Sequence, residues 1–512
     1  MVGNDEGFID LLQRAAKGDP RGVFALYDGK PITFAELNAN AASFAAAMTE
    51  GGLSPGDRVA VMMRNSLDAL AVIFGLGMAG VVWIPLNVQQ RGDGLRYILE
   101  HAQPALVVAD EDLVPTIADS GATVAANRIV VRGRGHQHDT VAGMLATGSS
   151  YVRPPPEADA PFAIMYTSGT TGQPKGVVVS HRMMRLAGEG AALASAVKRD
   201  DRMLVWEPLY HIGGAQLLTL PMTRGITLAF VERFSASRFW AQAREYRASH
   251  IHYLGGILQL LLKQPPSPRD RAHGVRVAWG GGCPVEIWSS FHERFGVEIR
   301  ECYGMTEASS ITTFNDRGVV GSVGTPVPWF SVEILKSDGT RATVGERGEI
   351  VVHTSSPGAI FPGYLDNPEA TAKALHGGAL FTGDIGSFDA DRNLIFHGRM
   401  TESVRVRGEN VSAWEVEHVV AKHPTIENCA MIGVAAEVGE QEIKLFVKLR
   451  YGAKLDSDEL SSWLGARLAP YQNPRYLVIV DEFEWTPSQR IMKHKLSTRL
   501  DDCWDRLASR AA

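Results

Sequence analysis

Cysteine is scarce in this chain: four residues in 512, Cys283, Cys302, Cys429 and Cys503, with no CxxC pair among them. That spacing argues against a disulfide framework or a zinc cluster and fits a reducing compartment, so a cytoplasmic location is expected. Charge is not concentrated either. The 51 Lys and Arg against 57 Asp and Glu leave a net charge of -6, and no basic block suggests nucleic acid or an anionic membrane. Internal repeats and long low-complexity segments are lacking. The N-terminal stretch MVGNDEGFIDLLQR has early acids and no apolar core, so it does not read as a secretory signal. Long hydrophobic runs are limited to residues 69–86, ALAVIFGLGMAGVVWIPL. Gly75, Gly77 and Gly80 interrupt that run and its β-branched second half ends at Pro85. A buried helix followed by a buried strand explains it better than a membrane span.

What is present is ordinary globular composition, 45% hydrophobic and 21% charged, in a chain too long for one core, so two or more domains are expected. Strand-like runs alternate with helix-like ones: DRVAVMM (57–63), an apolar helix, VVWIPL, a helix from Arg91, then ALVVAD (105–110). This is the pattern of a doubly wound α/β architecture. Pro-rich breaks at 153–161 and 264–270 look like loops at subdomain edges. Between roughly 321 and 398 short strands and turns predict a small β-rich subdomain. After about 400 a second α/β unit begins, with helices expected over 413–422 and 456–468. Some 110 residues suffice for a small domain.

The stretch YTSGTTGQPKGV (166–177) concentrates groups that hold phosphate. Its Gly residues allow close backbone approach to an anion, its hydroxyls donate, and Lys175 adds charge. A Walker loop would need Lys directly after the second Gly, whereas Gly172 is followed by Gln-Pro-Lys-Gly. Alone, such a loop is as often a flexible linker.

It is accompanied, in order, by WEPLYHIGG (206–214), WGGGCPVE (279–286), YGMTE (303–307), GY (363–364), NPEATAKAL (367–375), TGD (382–384), GR (398–399) and VRVRGENVSAWEVE (404–417). This ordered set resembles the adenylate-forming superfamily of acyl-CoA synthetases, peptide-synthetase adenylation domains and luciferases. ECYGMTE and RGENVS look most similar to the crotonobetaine/carnitine-CoA ligase branch. The resemblance implies a large N-terminal domain (1–398) of doubly wound subdomains plus the β-rich one, a hinge (399–402), and a small mobile α+β C-terminal domain (403–512). It implies a carboxylic acid–CoA ligase using ATP and Mg2+, with coenzyme A as co-substrate. The partners are then small molecules, with no nucleic acid and no integral membrane segment; a homodimer is compatible. A stand-alone adenylation enzyme loading a carrier protein or amine, and a non-catalytic adenylate- or acyl-binding regulator, are the alternatives.

The same resemblance assigns roles. Thr167, Ser168, Gly169, Thr170, Thr171, Gly172 and Lys175 would grip the β- and γ-phosphates. Gly282, Cys283 and Pro284 would border the adenine through backbone contacts, with the Cys283 sulfur itself read as a small buried hydrophobe. Tyr303, Gly304 and Met305 belong to the nucleotide site, Thr306 would contact the α-phosphate, and Glu307 would help hold magnesium, as suits a hard cation. Asp384 would clamp the ribose diol and Arg399 would be a second nucleotide ligand. His211 would stand at the acyl-pocket entrance, and Gly408 would line the path of the thiol arm.

Two positions depart from the family pattern. A Pro-rich turn followed by Gly-Lys is usual near the C-terminus, with that Lys bridging the acyl carboxylate and the α-phosphate. Here the segment reads TPSQRIMKHKL (486–496), which places Arg490 on the catalytic Lys, with Lys493 as the rival. Arginine keeps the charge but offers a rigid fork. The junction residue, usually Asp or Lys, is Thr401, and the hinge is expected at Thr401 and Glu402.

Overall fold

The structure is a computed structural model. It describes residues 5–123, 128–135, 139–167, 174–400, 403–406, 409–435, 441–468, 470, 472–486 and 490–509. The expected helix–strand reading of the uncharged run holds. Ser66 Oγ accepts from the Ala69 amide and starts a helix over Leu67–Ala79, Gly80 ends it at φ 69°, and Val82–Pro85 follows as a wholly buried strand. Gly75 is required there by close approach: a Cβ would lie 2.9 Å from the Ala41 carbonyl of the helix Phe34–Glu50. Among the described residues no helix is long and apolar enough to cross a membrane.

Two large sheets form the N-terminal part. The first has seven strands in the order 139–140, 129–132, 106–110, 58–62, 82–85, 161–167, 175–180. It is parallel except for the last pair, an antiparallel hairpin in which Tyr166 faces Gly176 and Thr167 faces Lys175. The phosphate-loop sequence is therefore the connection of that hairpin. The second sheet has nine strands, with 298–303, 277–281, 250–254, 202–205, 227–230 and 23–27 running parallel in that order. One hydrophobic core takes Phe74, Trp83 and Phe162 from around the first sheet and Met203, Leu228 and Trp279 from the second. The helices Phe34–Glu50, Leu67–Ala79 and His181–Ser195 contribute to that core.

The β-rich subdomain is a five-stranded antiparallel sheet of 330–335, 348–354, 379–388, 375–376 and 394–399. It begins later than expected: Thr325–Pro326 pairs with Thr313–Phe314 at the edge of the nine-stranded sheet, where backbone partners are available.

The C-terminal part holds a hairpin (403–406 with 409–412), helices Ala413–Val420 and Ser457–Gly465, and a four-stranded sheet of 426–435, 441–449, 476–480 and 504–505. Both helices fall within the expected segments but end earlier. Its core is separate, built on Val411, Val416, Leu445, Leu464 and Leu477. Half-exposed ion pairs run from this part to the N-terminal one: Lys263–Glu427 at 2.8 Å, and His418 and Lys422 to Glu286 at 3.3 and 3.8 Å.

Candidate active site

In open α/β sheets ligands bind outside the carboxyl ends of the strands. Four neighbouring parallel strands of the nine-stranded sheet end in Val205, Leu254, Gly281 and Tyr303, and His211, Gly282, Cys283, Pro284 and Tyr303 to Glu307 follow or occupy those ends.

After strand Glu298–Tyr303 the chain folds back sharply. A Cβ on Gly304 would lie 1.7 Å from the Ser310 carbonyl oxygen, so only glycine fits. Thr306–Ala308 forms one 3-10 turn, and Ser309 and Ser310 follow with φ of 48° and 70°. Two successive left-handed non-glycine residues store strain next to the candidate site. Ser309 Oγ donates to the Ala359 carbonyl at 2.6 Å and anchors the turn. Thr306 and Glu307 are buried, and Met305 packs half-buried beside them.

Glu307 Oε1 accepts from the Tyr364 hydroxyl at 2.8 Å, and Lys175 Nζ lies 4.4 Å from the centre of the Tyr364 ring. Tyr364 thus ties the end of the phosphate-loop hairpin to the YGMTE turn. The proximity of Glu307 and burial push the Tyr364 phenol well above its usual range, burial being the larger cause. No cluster of three metal-ligating side chains occurs among the described residues. Glu307 offers a hard oxygen donor, which fits a magnesium ion whose other ligands would be phosphate and water.

Asp384 lies on the β-rich sheet and faces Tyr303. The Tyr303 hydroxyl donates to its Oδ2 at 2.8 Å, while Arg399 Nε stands 3.5 Å from its Oδ1. Oδ1 is buried and makes no hydrogen bond among the described residues. Burial pushes the Asp384 carboxyl upward, against the lowering fields of Arg399 and then Arg490. A buried carboxylate oxygen with an ion-pair partner but no hydrogen bond leaves acceptor capacity that a ligand donor can meet.

The turn after strand Val277–Gly281 is held by a residue that motif reading missed. Glu301 Oε1 accepts from the amides of Gly282 at 2.5 Å and Cys283 at 3.1 Å, and its Oε2 accepts from the Tyr253 hydroxyl. Burial raises the Glu301 carboxyl to about 7. The Gly282 and Cys283 amides are therefore already engaged, which narrows their expected backbone role to carbonyls and shape. Pro284 starts the helix Val285–Phe295, and the Cys283 thiol, raised by burial, packs beside the apolar cluster as expected for its sulfur. The available signal for Glu301 was an acid inside the otherwise strand-like EIRECY.

His211 caps the short helix Ile212–Ala215, and its Nε2 is buried without a hydrogen-bond partner among the described residues. Burial, with a smaller contribution from the charge of Arg490, lowers its imidazole to about 4. Arg490 sits on an exposed turn in which its amide donates to Thr486 Oγ1 at 3.0 Å and its carbonyl accepts from the Thr486 amide at 2.7 Å. Its charge acts on both His211 and Asp384. Lys493 instead pairs with Glu417 at 2.9 Å inside the C-terminal part. Ser168, Gly169, Thr170, Thr171, Gly172, Gly408, Thr401 and Glu402 lie outside the described residues. Thr167 closes the hairpin opposite Lys175.

Comparison with known proteins agrees with this geometry. The profile of the AMP-binding enzyme family matches residues 12–365, and that of the AMP-binding enzyme C-terminal domain matches 415–490. The chain is 30% identical over 485 residues to a crotonobetaine/carnitine–CoA ligase of Salmonella paratyphi A, covering 91% of this chain and 93% of the relative. It is 29% identical over 490 residues to the Citrobacter koseri enzyme of that name, with the same coverage. Among solved structures, a benzoate CoA ligase from Burkholderia xenovorans superposes with TM-score 0.86 at 23% identity, covering 96% of this chain and 99% of that one. ATP-bound MatB from Rhodopseudomonas palustris superposes with TM-score 0.83 at 26% identity, covering 95% and 97%. With its nucleotide-type crevice, its second C-terminal domain and a family match over most of its length, the chain belongs to the AMP-binding enzyme family.

Proposed function

We infer that the protein is an ATP-dependent carboxylic acid–CoA ligase that works in two steps. The carboxylate oxygen attacks the α-phosphorus of ATP, the bond to pyrophosphate breaks, and an acyl-adenylate forms. The CoA sulfur then attacks the acyl carbon, AMP leaves, and the thiol proton passes to solvent. The observation that carries this reading is the crevice beyond the strand ends, where the Tyr303 hydroxyl holds Asp384 and the Tyr364 hydroxyl holds Glu307 beside Lys175.

Roles follow from that placement. Asp384 offers its buried Oδ1 to the ribose diol, with Tyr303 and Arg399 fixing the carboxylate. Lys175 and the hydroxyls of Thr167, Ser168, Thr170 and Thr171 hold the departing phosphates, and Thr306 contacts the α-phosphate. Glu307, oriented by Tyr364, is the protein's ligand for magnesium, which when bound neutralises phosphate charge. Arg490 meets the negative charge that gathers between carboxylate and phosphorus, which favours the transition state over separated substrates. Lys493, held by Glu417, is left to structure. The division into 1–398, a hinge at 399–402 and 403–512 belongs to this proposal, with Gly408 lining the thiol path. So does a cytoplasmic location, supported by four free cysteines.

The test is AMP release coupled to CoA consumption across short-chain, medium-chain, aromatic and quaternary-ammonium acids, beginning with crotonobetaine and carnitine. AMP formation that requires both an acid and CoA is expected. AMP formation that proceeds only with a carrier protein as acceptor would contradict CoA as the thiol.

A further inference from the structure

Glu207 is the most deeply buried acid outside the nucleotide site, 1% exposed, two residues beyond the end of strand Arg202–Val205. Its Oε1 contacts Nδ1 of His252, itself 2% exposed in the middle of the adjacent strand His250–Leu254. Its Oε2 has no hydrogen-bond partner among the described residues. The His252 ring packs against Trp279 with centroids 4.3 Å apart, and the Trp279 indole N–H is likewise buried and unpartnered. Two orphaned polar groups beside one imidazole are expensive unless something polar fills the space between strand ends.

The surroundings place this group on the acyl side. Asn65 clamps the Glu207 turn from two sides: its Nδ2 donates to the Glu207 carbonyl at 2.8 Å, and its Oδ1 accepts from the Leu209 amide at 3.2 Å. The same short segment carries His211. Two residues on, Gly213 presents no side chain: a Cβ there would stand 3.6 Å from His252 Cε1 and 3.5 Å from Leu254 Cδ1, so there is room beside the imidazole. The nucleotide-side residues do not use Glu207.

We propose that Glu207 is a specificity-determining residue: the acid carries an O–H or N–H donor away from its carboxylate, and Glu207 Oε2 accepts it, with His252 as a positioning residue that holds the other oxygen. This rests on the ligase reading above and adds the chemical class of the acid. Buried acceptors built to receive a donor discriminate strongly against analogues that lack it, because the acceptor is then left unpaired.

The test measures AMP release by the full-length protein with matched acids: 4-hydroxybutanoate, 4-aminobutanoate, pentanoate and 4-trimethylammoniobutanoate, and 4-hydroxybenzoate, 4-aminobenzoate and 4-methylbenzoate. In wild type at least one donor acid is expected to exceed its donor-free partner in kcat/KM by about tenfold or more. Glu207→Leu is expected to bring that ratio near one. Glu207→Gln, which keeps the shape and one acceptor oxygen, is expected to retain preference for a hydroxyl acid and lose it for a charged amine, so the two donor sources are separated. A wild-type ratio near one, or a ratio unchanged in both variants, overturns the proposal while leaving the ligase reading intact. A Glu207-dependent preference for the trimethylammonium acid also overturns it, because that cation has no proton to donate. No AMP release with any acid would overturn the ligase reading and this inference together.

Discussion

Asp384 presents one carboxylate oxygen to Tyr303 and keeps the other buried, 3.5 Å from Arg399. On the proposed reading, truncating it removes the acceptor for the ribose hydroxyls. Asp384→Ala is expected to raise KM for ATP by about 10- to 100-fold, the loss of a charge-assisted contact of about 1.5–3 kcal/mol, with a clearly smaller change in KM for the acid. Equal changes for both substrates would make Asp384 structural. His211 gives a pH prediction. Burial, with Arg490 adding, holds its imidazole at about 4 against an ordinary 6.5. The folded state therefore binds the proton less readily than the unfolded one. The contribution to stability is whole above 6.5 and is lost as pH falls toward 4. In an NMR titration the His211 ring is expected to stay neutral from pH 8 down to 5.5; a midpoint near 6.5 would show that it is solvated and far from Arg490.

Among the elements, the turn after strand Glu298–Tyr303 is the most constrained. Gly304→Ala would drive a methyl group to 1.7 Å from the Ser310 carbonyl, so the backbone must move and Thr306 and Glu307 with it. Pyrophosphate exchange is expected to fall by at least about 100-fold, with a lowered Tm, since a forced backbone shift of this kind typically costs about 1–3 kcal/mol or more. Near-normal exchange would mean that this turn does not set the α-phosphate contact. The helix–strand pair over residues 67–85 was legible in the sequence, because it is written in consecutive residues with its own glycines, whereas that turn and the phosphate-loop hairpin showed only as motifs. Glu301, Tyr253, Glu207 and His252 were not legible. Their partners lie 19, 48 and 45 residues away along the chain, and an acid within an apolar strand says that a partner exists without saying which one. The edge pairing of Thr325–Pro326 escaped for the same reason, since local turn chemistry does not choose between two sheets.

At the scale of the molecule, the two parts have separate cores, and the ion pairs of Lys263 and Glu286 that run between them are half-exposed. Exposed pairs of this kind contribute little, typically about 0–1 kcal/mol each, so they would oppose the proposed rotation of the C-terminal domain only weakly. Thr401→Pro, by restricting the backbone at the junction, is expected to spare adenylation and depress thioester formation; equal loss of both half-reactions would place the hinge elsewhere. The proposed adenylation step rests on Arg490, and the direct measurement compares Arg490→Ala, Arg490→Lys and Lys493→Ala in pyrophosphate exchange and, separately, in thioester formation from a preformed acyl-adenylate. Arg490→Ala is expected to abolish exchange and leave the second step, with Arg490→Lys partly active and Lys493→Ala close to wild type. Loss of exchange in Lys493→Ala with Arg490→Ala still active would contradict it.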